Sequence, residues 1–243
     1  MTVLITSSPF VDGADRAILD PRNGFVDCLR RTLPPFCRML YVCSSPDRRD
    51  LNCRFGADVF IAFAEAGIHF SSFAVLDGEN AQDAEKLVAG SDFIVLAGGH
   101  VPTQNAFFQQ IRLGELLRHH PGVVMGISAG SMNSAEEVYA QPEEPGESAP
   151  EFERFLPGLG LTQRNILPHY QKVFNYKLDG LRLFADITYA DSMGHTFYAL
   201  PDGSYIYQDE NRELLCGKAY RLRDGKMELL LLDGECLDMT KLG

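Results

Sequence analysis

Gly126-Ile127-Ser128-Ala129-Gly130 follows directly on the apolar run Val123–Met125. A G-x-S-x-G pentapeptide between a buried strand and a helix is the sequence form of a nucleophile elbow. The sharp turn strains the serine, and small residues on either side let the two segments pass closely. It also puts Oγ beside the first N–H groups of a helix, which favour negative charge. Such a serine performs covalent acyl transfer and needs a base to take its proton. His119 and His120 end a helix just before Pro121, where a cation suits the helix terminus. His69 lies early in a strand, and His195 opens a late β region. His100 follows Gly98-Gly99 at a strand's carboxyl end, and His169 ends the apolar run Ile166-Leu167 behind Pro168, which fixes the local backbone. Position therefore favours His169 or His100 as the base. Gly98-Gly99 leaves backbone N–H groups uncovered, suited to an oxyanion hole shared with the Ala129 N–H.

These residues need a scaffold that gathers strand ends. Val3–Thr6, Met39–Cys43, Ile68–Leu76, Phe93–Ala97 and Val123–Gly126 read as strands, several of them apolar throughout. Helical patterns cover Phe55–Ala66, with Gly67 at the C-cap position, then Ala81–Ala89 and Gln104–Arg118. Strands apolar on both faces and alternating with helices imply a parallel sheet covered on both sides, a doubly wound α/β domain. Its catalytic groups should collect at the strands' carboxyl ends. After a helix expected over Tyr176–Ala185, the chain turns to β-patterning. Thr196–Leu200 and Ser204–Tyr207 flank Pro201-Asp202-Gly203, and Ala219–Leu222 and Met227–Leu232 flank Asp224-Gly225, so two hairpins are expected. Glu136–Glu153 carries seven glutamates, three prolines and no basic residue, the composition of an exposed loop. With no linker or repeat in view, residues 1–243 read as one domain.

Ala97-Gly98-Gly99-His100, then Gly126-Ile127-Ser128-Ala129-Gly130, then Leu167-Pro168-His169-Tyr170 together resemble the aspartyl dipeptidase (peptidase E) and cyanophycinase family of serine peptidases. The resemblance runs from Val3 to about Ala185. It implies a flavodoxin-like three-layer α/β sandwich related to class I glutamine amidotransferases, with a mainly parallel sheet and antiparallel hairpins added in the C-terminal third. It also implies Ser128 as nucleophile, His169 as general base, and the Gly99 and Ala129 N–H groups as the oxyanion hole. The family's third triad member is an acid in the loop between serine and histidine. That loop offers Glu143, Glu144, Glu147, Glu151 and Glu153; spacing from Ser128 favours Glu143 or Glu144, and Glu144 is the choice. The substrates implied are short acidic peptides of the Asp-X dipeptide type, with cyanophycin-like or isoaspartyl peptides as alternatives. An acidic substrate side chain calls for a cationic partner. Arg164, Lys172 and Lys177 flank His169 in sequence, but their directions cannot be read.

Composition narrows the competing classes. Asp plus Glu number 33 against 22 Lys plus Arg, a net charge of −11, which argues against a nucleic-acid partner. No apolar run approaches the roughly 20 residues of a membrane span, and the first residues lack the basic start of a signal peptide. The six cysteines at 28, 37, 43, 53, 216 and 236 form no C-x-x-C or zinc-finger spacing, so they read as reduced thiols of a cytoplasmic protein. No cofactor or metal is expected; the partner is a small peptide substrate, with a homodimer left open. An α/β-hydrolase esterase would leave only His195 as base, lacks H-G-G-G, and would continue with helices where this chain turns to hairpins. An amidotransferase would need a cysteine at Ser128. Ser128 and His169 together argue against a non-catalytic binding module on the same fold, which stays as an alternative.

Overall fold

The computed structural model describes residues 1–241; the last two residues of the domain expected over 1–243 lie outside them. The chain opens with β1 (Thr2–Thr6), α1 (Phe25–Thr32), β2 (Arg38–Val42), α2 (Arg49–Glu65), β3 (Ser72–Leu76), α3 (Ala84–Ala89) and β4 (Phe93–Leu96). It continues through α4 (Val101–Gln110), α5 (Leu113–Leu117), β5 (Val123–Ile127) and α6 (Ala129–Met132). Two short strands, β6 (Glu137–Tyr139) and β7 (Phe155–Pro157), pair with each other before β8 (Asn165–Leu167) and α7 (Tyr170–Val173). Next come β9 (Lys177–Leu178), β10 (Leu181–Arg182), α8 (Tyr189–Asp191), β11 (Thr196–Ala199), β12 (Tyr205–Gln208) and β13 (Glu213–Cys216). The last strands are β14 (Ala219–Arg223), β15 (Lys226–Leu231) and β16 (Cys236–Asp238).

Eight strands form the central sheet in the order β16-β13-β12-β1-β5-β4-β2-β3. The five from β1 to β3 run parallel, and β12, β13 and β16 extend the sheet antiparallel from β1. This is the mixed α/β architecture expected. Alternation along the parallel strands divides the core in two. Val3, Ile5, Ile94, Leu96 and Val124 pack on one face with Phe107, Phe108 and Leu117. Leu4, Phe93, Val95 and Met125 pack on the other with Phe25, Leu29 and Phe63. Full burial of one such side chain contributes about 1.5–3 kcal/mol, so both faces must be covered.

Several local expectations change. Gln104–Arg118 is two helices, because Arg112 takes a left-handed conformation (φ 54°) and ends the first. The helix expected over Tyr176–Ala185 is displaced toward the C-terminus: Lys177–Leu178 pairs antiparallel with Leu181–Arg182 across Asp179-Gly180, both residues at positive φ, and helical structure begins only at Leu183, as a π-helix to Thr188. An Asp-Gly turn of that kind closes a hairpin. Asp224-Gly225 closes the expected hairpin between β14 and β15, whereas Pro201-Asp202-Gly203 closes none. Instead β11 belongs to a second sheet, β15-β14-β11-β8, and β12 to the central one, so the turn carries the chain between sheets. Glu136–Glu153 is not loop throughout, since Val138, Tyr139 and Ala140 are buried.

The expectation of six reduced thiols is also corrected. Cys216 and Cys236 stand directly opposite on β13 and β16, with Cα atoms 4.2 Å apart, and are disulfide-bonded. A sequence separation of 20 gives no sign of that register. The other four cysteines are free. Among the described residues, no helix is long and apolar enough to cross a membrane.

Candidate active site

Three neighbouring parallel strands, β1, β5 and β4, deliver Ser7, Ser128 and Gly98-Gly99 to one end of the central sheet. Ser128 itself has φ 49° and ψ −110°. An L-residue is disfavoured there, at a cost of order 1–3 kcal/mol that the surroundings must offset. They do so through several contacts. The Ser128 N–H donates to the carbonyls of Thr6 (3.1 Å) and Ser7 (3.0 Å). Ser131 on α6 donates from Oγ to the Thr6 carbonyl and accepts the Thr6 N–H. The elbow's glycines are required by close approach: a Cβ on Gly126 would lie 2.5 Å from the Ser131 nitrogen, and one on Gly130 2.4 Å from the Leu96 carbonyl oxygen.

His169 and Asp202 come from the second sheet. β8 and β11 run parallel, with Leu167 beside Ala199, so Leu167-Pro168-His169 and Leu200-Pro201-Asp202 leave the sheet side by side. The Asp202 turn is tied to the end of β1 by Gly203 N–H donating to the Ser8 carbonyl and Ser7 N–H donating to the Ser204 carbonyl. His169 Nε2 lies 2.9 Å from Ser128 Oγ, and its Nδ1 lies 2.6 Å from Asp202 Oδ1. His169 is at φ 54°, a second strained residue in the site. Ser7 bridges the group: its Oγ donates to Asp202 Oδ1 (2.9 Å) and accepts the His169 N–H (2.8 Å).

Asp202 is a buried carboxylate, its side chain only 2% exposed. Burial by itself raises a carboxyl pKa, but hydrogen bonds and charge from His169, Lys172 and Ser7 outweigh it and hold Asp202 well below the ordinary range. Lys172 Nζ and Gln171 Nε2 occupy the second oxygen, at 2.8 and 2.6 Å. The sign for stability follows. A carboxylate held below its unfolded value of ~3.9 stabilises the fold fully above that value, and the contribution is lost as pH falls through the lower folded one. The stability gap between the parent and Asp202→Asn, measured by denaturant unfolding at a series of pH values, should therefore shrink as the solution is acidified below ~4. A gap that stays constant into strong acid contradicts this ionisation.

The sequence-based assignment of Glu144 is corrected here. Both ring nitrogens of His169 are engaged, by Ser128 and Asp202, and Glu144 bonds to neither. Its loop folds back on itself: Glu147 Oε2 accepts the N–H groups of Glu143 and Glu144, and Glu147 Oε1 lies 2.7 Å from His100 Nε2. His100, the other candidate base, is thereby committed to Glu147 and Thr103. His100, Glu144 and Glu147 bring their donor atoms within 4.8 Å of one another, the one group of metal-ligand type among the described residues. The hydrogen bonds just given to His100 and Glu147 satisfy those two side chains without an ion. Glu143 does reach the site, lining the same cavity as Ser128 and His169.

Gly99 lines the same cavity as Ser128, Ala129 follows it in the chain, and neither N–H has an acceptor among the described residues. Gly99 (φ 154°) admits no side chain, since a Cβ would fall 2.3 Å from Ser44 Oγ. Gly98 is not required in the same way: a Cβ there would lie 3.6 Å from Ser128 Cβ, an ordinary contact.

A strained serine at a strand-to-helix turn, bonded through histidine to a buried carboxylate, defines a serine hydrolase site on a mainly parallel α/β sheet. Residues 53–215 match the model of Peptidase family S51, and the chain belongs to that family of serine peptidases. The fold is similar to the crystal structure of a peptidase from an acI-B1 actinobacterium, with a TM-score of 0.64 at 17% identity over 98% of this chain and 96% of that one. It is also similar to a putative peptidase E protein from Listeria monocytogenes EGD-e, with a TM-score of 0.56 at 14% identity over 95% and 98%. No curated protein matches the sequence significantly.

Two participants escaped the sequence reading. Ser7 gave no local signal. Asp202 did give one: Leu200-Pro201-Asp202 repeats the apolar-Leu-Pro-polar pattern of Leu167-Pro168-His169.

Proposed function

We propose that this chain hydrolyses short peptides by covalent catalysis at Ser128, with His169 as general base and Asp202 as the carboxylate that orients it. Ser128 Oγ bonds to the scissile carbonyl carbon while its proton passes to His169 Nε2. The negative oxygen that develops is received by the N–H groups of Gly99 and Ala129. Collapse breaks the C–N bond, and His169 returns the proton to the leaving amine. Water then attacks the acyl ester, giving its proton through His169 to Ser128 Oγ and releasing the carboxylate product. Asp202 keeps the imidazole in the tautomer with Nε2 free and stabilises its cation without itself becoming protonated.

The observation that carries this reading is the unbroken chain Ser128 Oγ to His169 Nε2 to His169 Nδ1 to Asp202 Oδ1, at 2.9 and 2.6 Å. The site opens into a cavity of about 290 Å³, a size suited to a short substrate. Asp-X dipeptides remain one arm of any substrate panel, although Arg164 is paired with Glu213, and Lys172 with Asp12 and Asp202. The four free cysteines fit a reducing compartment such as the cytoplasm, and the Cys216–Cys236 bond is the feature that speaks against one. Rapid mixing with a p-nitrophenyl ester tests the mechanism. One equivalent of p-nitrophenol per site should be released in a burst before the steady rate, because acylation precedes a slower deacylation. A linear release whose rate falls when a chelator is added overturns it.

A further inference from the structure

The cavity in front of Ser128 has an unusual distribution of charge for a peptidase expected to take acidic substrates. Its wall is apolar, built from Val101, Met132, Pro142, Val173 and Leu183, and includes no lysine or arginine. The one carboxylate on that wall is Glu143. No cation is paired with it among the described residues, whereas Glu147 behind it has His100. An anionic side chain entering this chamber would leave water, meet Glu143 and find no partner, which costs more than it returns. An apolar side chain would bury its surface against the wall.

A peptide with a free N-terminus brings a cation of its own. The α-ammonium nitrogen lies about 2.5 Å from the carbonyl carbon of the same residue, as two consecutive backbone bonds dictate. Whatever holds that ammonium must therefore share a chamber with the nucleophile when the first peptide bond is cut. Glu143 does: it lines the cavity with Ser128 and His169. Burial there, with Glu147 and Glu144 adding to it, pushes its carboxyl above the ordinary range against the opposing charges of His100 and His169, so an arriving ammonium supplies the cation that its ionised form lacks. Its backbone is held, since the Glu143 N–H donates to Glu147 Oε2 at 2.8 Å. Gln141, two residues before it, is anchored by Nε2 to Thr188 Oγ1, also at 2.8 Å.

Resting on the peptidase reading above, we infer that Glu143 and the apolar wall select short peptides with a free α-amino group and an apolar first residue, so that the enzyme removes the N-terminal residue. Glu143 would hold the ammonium by a charge-assisted hydrogen bond. Acetylating the amine removes the cation and leaves Glu143 facing a neutral amide.

The test is hydrolysis of Leu-Ala, Asp-Ala and N-acetyl-Leu-Ala by the full chain and by Glu143→Gln, with products followed by chromatography. Parallel fluorophosphonate labelling reports the nucleophile independently of substrate choice. The expected kcat/KM for Leu-Ala exceeds that for Asp-Ala and that for N-acetyl-Leu-Ala at least tenfold each. In Glu143→Gln the KM for Leu-Ala should rise about tenfold or more with kcat little changed, and the preference for the free over the acetylated peptide should collapse toward one. With Ser128 labelled, a preference for Asp-Ala, no cleavage of Leu-Ala, or an undiminished free-amine preference in Glu143→Gln overturns the inference and leaves the peptidase reading standing. No label together with no cleavage of any substrate overturns both.

Discussion

Replacing Ser128 with alanine is expected to lower kcat by about a millionfold, the scale of loss when a triad nucleophile is removed. The fold should survive, because Oγ makes one bond to His169 while the turn is held by backbone contacts to Thr6 and Ser7 and by Ser131. Glycine at the same position separates chemistry from strain. Ser128 at φ 49° and ψ −110° occupies a conformation that glycine adopts freely and alanine does not. Ser128→Gly should therefore be as inactive as Ser128→Ala yet at least as stable as the parent in thermal unfolding. A glycine variant clearly less stable than the parent would mean the elbow stores no strain.

The second large effect falls on Asp202. Asparagine there preserves the shape but presents an amide to His169 Nδ1, favouring the tautomer that cannot accept the Ser128 proton, and a loss of about 10⁴ in kcat is expected. Glu144→Gln, assayed beside it, should stay within about twofold of the parent, as is usual for an exposed side chain outside the reacting group. Equal losses in the two variants would return the loop glutamates to the site. A kcat for Asp202→Asn near the parent's would remove Asp202 from the mechanism.

Much of the site was legible because its signals are local. The strand Val123–Met125 feeding G-x-S-x-G marks Ser128 from eight consecutive residues, and Pro168-His169 stands at the end of a run that can only be buried. The parallel sheet was equally legible, since Phe93–Leu96 is apolar on both faces and both faces are covered. What stayed hidden depends on register and on long-range pairing. Asp202 sits in Pro201-Asp202-Gly203, which has the composition of a hairpin turn. Only the pairing of β11 with β8, and of β12 with β1, turns that segment into a passage between sheets that ends beside His169. The Cys216–Cys236 bond is hidden for the same reason. Asp179-Gly180 is a local hairpin signal of the same kind as Asp224-Gly225, and it closes the short β9–β10 pair.

The most direct test of the account is to trap the nucleophile as a phosphonyl ester, formed as fluoride leaves the reagent's phosphorus, and find the residue that carries it. Incubation with a fluorophosphonate, followed by digestion and peptide mass spectrometry, should show one adduct per chain on the peptide containing Ser128. The adduct should form far more slowly in His169→Gln and in Asp202→Asn, because the reagent reports the activated nucleophile. An adduct on another serine, or labelling of Ser128 at the parent's rate in both variants, would contradict the Ser128–His169–Asp202 relay.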